Sequence, residues 1–280
     1  MIEVRLASEP VPGATANEDC AFAVPGLVGV LDGVTVLDGM ETGCVHGPAW
    51  YARMLSGRLI RAHAADPAAP LDRLLATAID GVRQAHGDRC DLTHPGTPAS
   101  TVCLAKYGAD RLEYLVLGDS PLVYQVHGDA GRVEVVDDQR VQEVGRLLPD
   151  PIPEDMPKDS SEYARAVRER TAAKLRYTNR PGGYWIASTD PAAAGHAVTG
   201  VLPLTGRDAV RRACLLTDGA SRAVDTYDLY GWPELLDALA GHGPVHVIER
   251  VREAERAESG HVRVKRHDDA SAVLITFGVS

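Results

Sequence analysis

Leu27-Val28-Gly29-Val30-Leu31-Asp32-Gly33 is an apolar run that stops at an aspartate followed by a glycine. Two further stretches end the same way: Leu115-Val116-Leu117-Gly118-Asp119-Ser120 and Cys214-Leu215-Leu216-Thr217-Asp218-Gly219. A fourth is reversed, with His267-Asp268-Asp269-Ala270-Ser271 opening into Ala272-Val273-Leu274-Ile275-Thr276-Phe277. Short apolar runs rich in β-branched residues and bounded by turn residues read as buried strands. A carboxylate at the end of such a strand sits on a rigid element and reaches the sheet edge. Several of them converging would make a hard-oxygen cation site. Taken singly, each Asp-Gly is as readily a turn or a cap, so the weight lies in the set.

Around these runs the chain alternates in blocks. Residues 1–37 read as strands broken by Gly and Pro turns. Residues 47–64 carry Trp50, Met54, Leu55 and Leu59 at helical spacing and end near Asp66-Pro67. Residues 71–86 repeat the pattern with Leu71, Leu74, Leu75, Ala78 and Val82 on one face. A short Ala/Pro turn between the two predicts an antiparallel helix pair. Strands then follow in quick order at 101–107, 112–117, 122–126 and 133–136, a spacing that favours hairpins over crossovers. Residues 149–158 read as a loop or flap, 160–175 as a charged helix, 184–188 as another strand, and 232–240 and 245–258 as two helices before the final strand. The order predicts an α+β fold with helices packed outside a two-sheet β core. No linker demands a boundary, so 1–280 is expected to be one domain with a variable excursion over 139–200.

The bulk properties narrow the function. Hydrophobic residues make up 45% and charged residues 24% of the 280, as in an ordinary globular protein. A net charge of −10 and the lack of any basic run argue against a nucleic-acid partner. No stretch approaches the ~18 apolar residues of a membrane span, and the N-terminus lacks the apolar core of a signal peptide. Cys20, Cys44, Cys90, Cys103 and Cys214 are odd in number and include no Cys-x-x-Cys pair, which predicts neither a zinc site nor a disulfide framework. A reduced, cytoplasmic protein is expected.

In order along the chain stand Asn17-Glu18-Asp19, Asp32-Gly33, Ser100-Thr101, Gly118-Asp119-Ser120, Asp218-Gly219 and Asp268-Asp269-Ala270-Ser271. This series resembles the protein phosphatase 2C-like (PPM) metal-dependent Ser/Thr phosphatases, over nearly the whole chain. The resemblance implies a four-layer α-β-β-α sandwich, two mainly antiparallel sheets flanked by helix pairs. It implies two Mn²⁺ or Mg²⁺ ions, with room for a third, and a phosphoprotein or other phosphomonoester as substrate. By the same resemblance Asp32 is the bridging carboxylate and Gly33 a backbone carbonyl ligand. Asp218 and Asp268 hold one ion, Glu18 lies near the other, and Asp19 is a direct or water-mediated ligand. Asp119 is an outer carboxylate for the third ion. Asp32 and Asp218 would then be the catalytic pair, holding a metal-bridging hydroxide that attacks phosphorus in line. All-oxygen donors suit Mg²⁺ and Mn²⁺ rather than zinc.

Three departures stand out. Ala14 occupies the place of the family's phosphate-gripping arginine, Val34 that of its histidine acid, and Pro121 that of the arginine after Gly-Asp-Ser. Arg180, beside Gly182-Gly183, is a candidate replacement for the first, and His46 lies near the second in sequence. The substrate is therefore open between a phosphoserine or phosphothreonine protein and a small phosphorylated metabolite, with a phosphatase-like regulatory binding protein as the non-catalytic alternative. A haloacid-dehalogenase reading of Val30-Leu31-Asp32-Gly33-Val34-Thr35 fails because Val34 stands where a second aspartate is needed. No G-x-x-x-x-G-K-[ST] loop supports a P-loop enzyme.

Overall fold

The computed structural model describes residues 1–128, 131–149, 152, 153, 156, 157, 160–258 and 267–278. Three strands open the chain, β1 (Ile2–Glu9), β2 (Asp19–Val24) and β3 (Leu27–Gly33), followed by helices α1 (Pro48–Ala65) and α2 (Leu71–Ala85). Strands β4 (Ser100–Tyr107), β5 (Arg111–Leu117), β6 (Leu122–Val126) and β7 (Val133–Val136) come next, then α3 (Arg140–Leu147) and α4 (Ser161–Leu175). The remainder is β8 (Val198–Pro203), β9 (Val210–Leu216), α5 (Asp218–Asp225), α6 (Trp232–His242), α7 (Pro244–Ala257) and β10 (Ala270–Phe277).

The strands form two five-stranded sheets, ordered β1-β10-β9-β6-β7 and β2-β3-β4-β5-β8, and every neighbouring pair is antiparallel. The period of two divides each central strand between two cores. From β3, Val28 and Val30 face the other sheet, packing with Leu215, Val273 and Ile275. Leu27 and Leu31 face outward onto Tyr51, Leu55 and Leu59 of α1 and Leu75 and Ile79 of α2. On the far side Cys214, Leu216 and Leu274 pack against Leu235, Leu239, Val247 and Val251 of α6 and α7. Burial on both faces explains why these strands read as continuous apolar runs rather than alternations. This is the layered α-β-β-α sandwich expected from the sequence.

The helix pair 47–64 and 71–86 folds nearly as read. Pro48 begins α1 where its missing N–H costs nothing, although Trp50 and Met54 are only partly buried and Tyr51, Ala52, Leu55 and Leu59 form the inner face. Two readings need correction. Residues 184–188 do not form a strand: they make only single bridges, Thr178 with Tyr184 and Ser100 with Ala187. The edge beside β5 belongs instead to β8, whose inner residues include Gly200 against Tyr114. Helix α5 starts directly at Asp218, so three helices rather than two precede the last strand; its buried side is only Gly219, Ala220, Ser221 and Ala223, too small to signal a helix. Half of the stretch 149–158 lies outside the described residues. Among the described residues no helix is long and apolar enough to cross a membrane.

Candidate metal centre

The strand-end aspartates meet at one rim of the sandwich. In the β2–β3 ladder Asp19 stands directly opposite Asp32, and Asp32 in turn opposite Thr101 of β4. Like charges opposite one another in an antiparallel ladder repel, so this register requires either protons or a cation. The other sheet is tied to the same rim by Thr217. Its hydroxyl donates to Asp19 Oδ2 at 2.7 Å while accepting from the Ser271 N–H at 2.9 Å. Asp218, the next residue, opens α5, and Asp268 precedes β10.

A cleft of about 450 Å³ lies over this rim, lined by Asp32, Gly33, Asp119, Asp218 and Asp268 together with Thr101, Lys174 and Arg222. Asp32 is half-buried at the edge of this cleft, and desolvation, then the charges of Asp218, Asp19, Asp268 and Asp119, drive its carboxyl well above the usual range. Burial likewise pushes Asp19 up to about 8, against the opposing hydrogen bonds of Thr217 and Ser271. Asp119 is raised by burial and partly relieved by Lys174. Carboxylates with only oxygen donors, converging where Lys174 and Arg222 relieve their repulsion only in part, fit a hard divalent cation.

The neighbouring residues hold these carboxylates in place. Asp269 accepts from the N–H groups of Val11 and Glu18, at 2.6 and 2.5 Å, and so pins the β1–β2 connection to the start of β10. Asp138 accepts from Gly118 N at 3.1 Å and pairs with Arg140, fixing the turn that carries Asp119. Gly118 has φ +84°, which a side chain rarely tolerates. Arg222 donates to Asp268 Oδ2 at 3.0 Å and to Glu255 Oε1 at 3.1 Å. Glu255 is fully buried and also accepts from Arg252 and His267.

Of the seven residues expected at a metal centre, Asp32, Gly33, Asp119, Asp218 and Asp268 line the cleft, and Asp19 lies behind Asp32. Glu18 is one step further out, its Oε2 accepting from Thr35 Oγ1 at 2.5 Å. Arg180 is exposed and does not line the cleft, and His46 lies outside it as well. Two cations were missed from the sequence: Arg222, held on Asp268 and Glu255, and Lys174, near the end of α4, whose ammonium is half-buried. Burial lowers its pKa while Asp119 and Asp218 pull it back up. Val141, Val167, Thr171, Leu175, Tyr184 and Ile186 complete that wall, so the 139–200 excursion does border the cleft.

These shifts set a pH dependence. Asp19 has a folded pKa above its unfolded value of 3.8, so its contribution to stability is complete below about pH 4 and is lost as pH rises through about 8. Asp32 and Asp119 act in the same direction. In thermal melts with a chelator, Tm should therefore fall between about pH 5 and 8, and added Mn²⁺ should restore it by binding the folded state alone. A chelated protein with a flat profile over that range would contradict this.

No protein-family model matches the sequence, and no curated protein does. Solved structures do match in fold. The PPM Ser-Thr phosphatase MsPP from Mycobacterium smegmatis, in complex with cacodylate, superposes with a TM-score of 0.55 at 18% identity, covering 99% of this chain and 98% of its own. The serine/threonine phosphatase Stp1 from Staphylococcus aureus gives a TM-score of 0.59 at 11% identity, covering 100% and 96%. The catalytic domain of the serine threonine protein phosphatase PstP, in complex with two manganese ions, gives 0.53 at 16% identity, covering 98% and 97%. The chain thus has the fold of the PPM serine/threonine phosphatases.

Proposed function

We propose that the chain is a single-domain, divalent-cation-dependent phosphomonoester hydrolase acting on phosphoserine or phosphothreonine in proteins, in a reducing, cytoplasmic setting. The observation that carries this is the convergence of Asp32, Asp119, Asp218 and Asp268 with Lys174 in one cleft of a PPM fold. Asp32, the Gly33 carbonyl, Asp218 and Asp268 would hold a pair of Mn²⁺ or Mg²⁺ ions, with Glu18 and Asp19 on the β2 side and Asp119 toward a third. Such ions polarise phosphoryl oxygens and lower the pKa of bound water. Arg222 and Glu255 keep Asp268 oriented, and Thr217 keeps Asp19 oriented.

Lys174 takes over the phosphate contact for which Ala14, exposed and apolar, offers no group. An ammonium on a flexible stem neutralises a phosphate as a point charge, without the two-pronged grip of a guanidinium. A charge-assisted hydrogen bond of this kind contributes about 1.5–3 kcal/mol. Lys174→Ala should accordingly lower kcat/KM by about 10- to 100-fold, and Lys174→Arg should recover part of it. Unchanged kinetics for Lys174→Ala would remove Lys174 from the site.

An apolar pocket adjoins the cleft and shares Val34, Thr35, Thr171, Leu175, Tyr184 and Ile186 with it. It offers a place for the side chains flanking a phosphoresidue. The cleft volume of about 450 Å³ also suits a small molecule, which keeps a phosphorylated metabolite as the second reading. Phosphopeptides assayed beside small phosphate esters, with and without Mn²⁺, separate the two. Turnover that does not depend on Mn²⁺, or no turnover of either class with Mn²⁺ present, would sink the hydrolase proposal.

A further inference from the structure

Outside the cleft, the loop between β3 and α1 meets the segment after α2. Cys44 Sγ lies 3.0 Å from Cys90 Sγ, and His46 Nδ1 is 3.4 Å from each sulfur. The backbones are joined where Asp91 N donates to Gly43 O at 2.7 Å. Burial and the Cys90 contact push the Cys44 thiol up, and the His46 N–H, donating to Cys44 Sγ at 3.3 Å, opposes them. The His46 ring is fixed by stacking on Trp50, centroids 3.9 Å apart. His86 stands edge-on to it at 5.2 Å and is 1% exposed. Its Nδ1 lies 2.9 Å from Val82 O; a carbonyl only accepts, so Nδ1 carries the hydrogen. The Nε2 lone pair is then buried without a partner among the described residues.

We propose that Cys44, His46 and Cys90 bind one Zn²⁺ ion per chain, with the His86 ring packed beside the three donors. The three donor atoms form a triangle with a point to one side of its plane roughly 2.3 Å from each, which is a zinc–sulfur bond length and near a zinc–nitrogen one. Two thiolates and an imidazole are soft donors and prefer zinc to Mn²⁺ or Mg²⁺. On binding, the two thiol protons leave to solvent as the two Zn–S bonds form, and no redox change occurs. The residue spacing is Cys-x-His and His-x-x-x-Cys, which a search for Cys-x-x-Cys pairs passes over. The clip would tie the loop whose Val34, Thr35 and Leu37 line the cleft to the end of the α1–α2 pair.

The test uses reduced, metal-free protein titrated with Co²⁺ and then Zn²⁺. One Co²⁺ per chain should give thiolate-to-cobalt charge-transfer absorption that Zn²⁺ abolishes. Cys44→Ser and Cys90→Ser should lose the band, while Asp32→Ala keeps it, separating this ion from any in the cleft. His46→Ala should weaken Zn²⁺ binding by more than the about 100-fold that loss of an outer partner costs. In the wild-type chain, which needs no variant to fold, Zn²⁺ should protect Cys44 and Cys90 from alkylation. A band that survives Cys44→Ser, no band in reduced wild type, or a Cys44–Cys90 disulfide that forms as readily with Zn²⁺ as without would each overturn the proposal.

Discussion

Asp32→Ala is expected to abolish Mn²⁺-dependent phosphomonoester hydrolysis, with kcat/KM falling about 10³-fold or more, the scale on which a preorganised electrostatic site is lost. That corresponds to about 4 kcal/mol of transition-state stabilisation. Asp32 sits between both sheets' contributions, opposite Asp19 across the ladder and within the field of Asp218, Asp268 and Asp119. Asp218→Ala should behave the same way. The companion effect runs in the other direction. Without a cation, Asp32 is a source of repulsion, so Asp32→Asn in chelator should melt at or above the wild-type Tm while remaining inactive. An ordinary structural aspartate would give a lower Tm. Activity and stability measured on one preparation of each variant distinguish a functional carboxylate from a structural one.

Gly219→Ala should be strongly disruptive for a single-methyl change. A Cβ at this position would stand 1.9 Å from the Asp269 carbonyl oxygen and 3.3 Å from Ala270 Cα, both backbone atoms that cannot swing aside. The start of α5 and the entry to β10 must then separate, moving Asp218 and Asp268 apart and straining the two hydrogen bonds that Asp269 accepts from Val11 and Glu18. Overpacking of a tight site costs about 1–3 kcal/mol, and displacement of backbone puts this case at the upper end. Denaturant unfolding should show that loss, and Mn²⁺ affinity should fall with it. A variant with wild-type stability and affinity would mean that the two segments are not held as close as the structure has them. The glycine after this aspartate thus serves a close approach between elements, not a turn.

The aspartates were readable because each borders a largely buried apolar run, and continuous apolar segments such as Leu27–Leu31 are strong local signals. The layer order followed from the same runs and from the regular stripes of α1 and α2. Convergence was not readable from spacing. It depends on Thr217 linking β2 to β9 and β10, and on Asp269 reaching back to residues 11 and 18, contacts between positions far apart in sequence. Lys174 was missed for a related reason. Helix α4 carries a sparse apolar face, with only Tyr163, Ala166 and Val167 buried, so nothing local marks which of its charges turns inward. Arg180, chosen for its place beside flexible glycines, points to solvent instead. Residues 184–188 are apolar enough for a strand, yet β8 holds the sheet edge and leaves them as a cleft wall.

In the proposed centre, carboxylates from both sheets converge to hold two cations. Electron paramagnetic resonance of Mn²⁺ added to chelator-treated protein tests it most directly. The wild-type chain should bind two Mn²⁺ ions with the broadened, spin-coupled spectrum of ions sharing a bridging ligand. Asp32→Ala should lose the coupling, and Asp218→Ala should lose at least one ion. Mn²⁺ that stays free in the wild type, or a coupled spectrum that survives Asp32→Ala, would contradict the account.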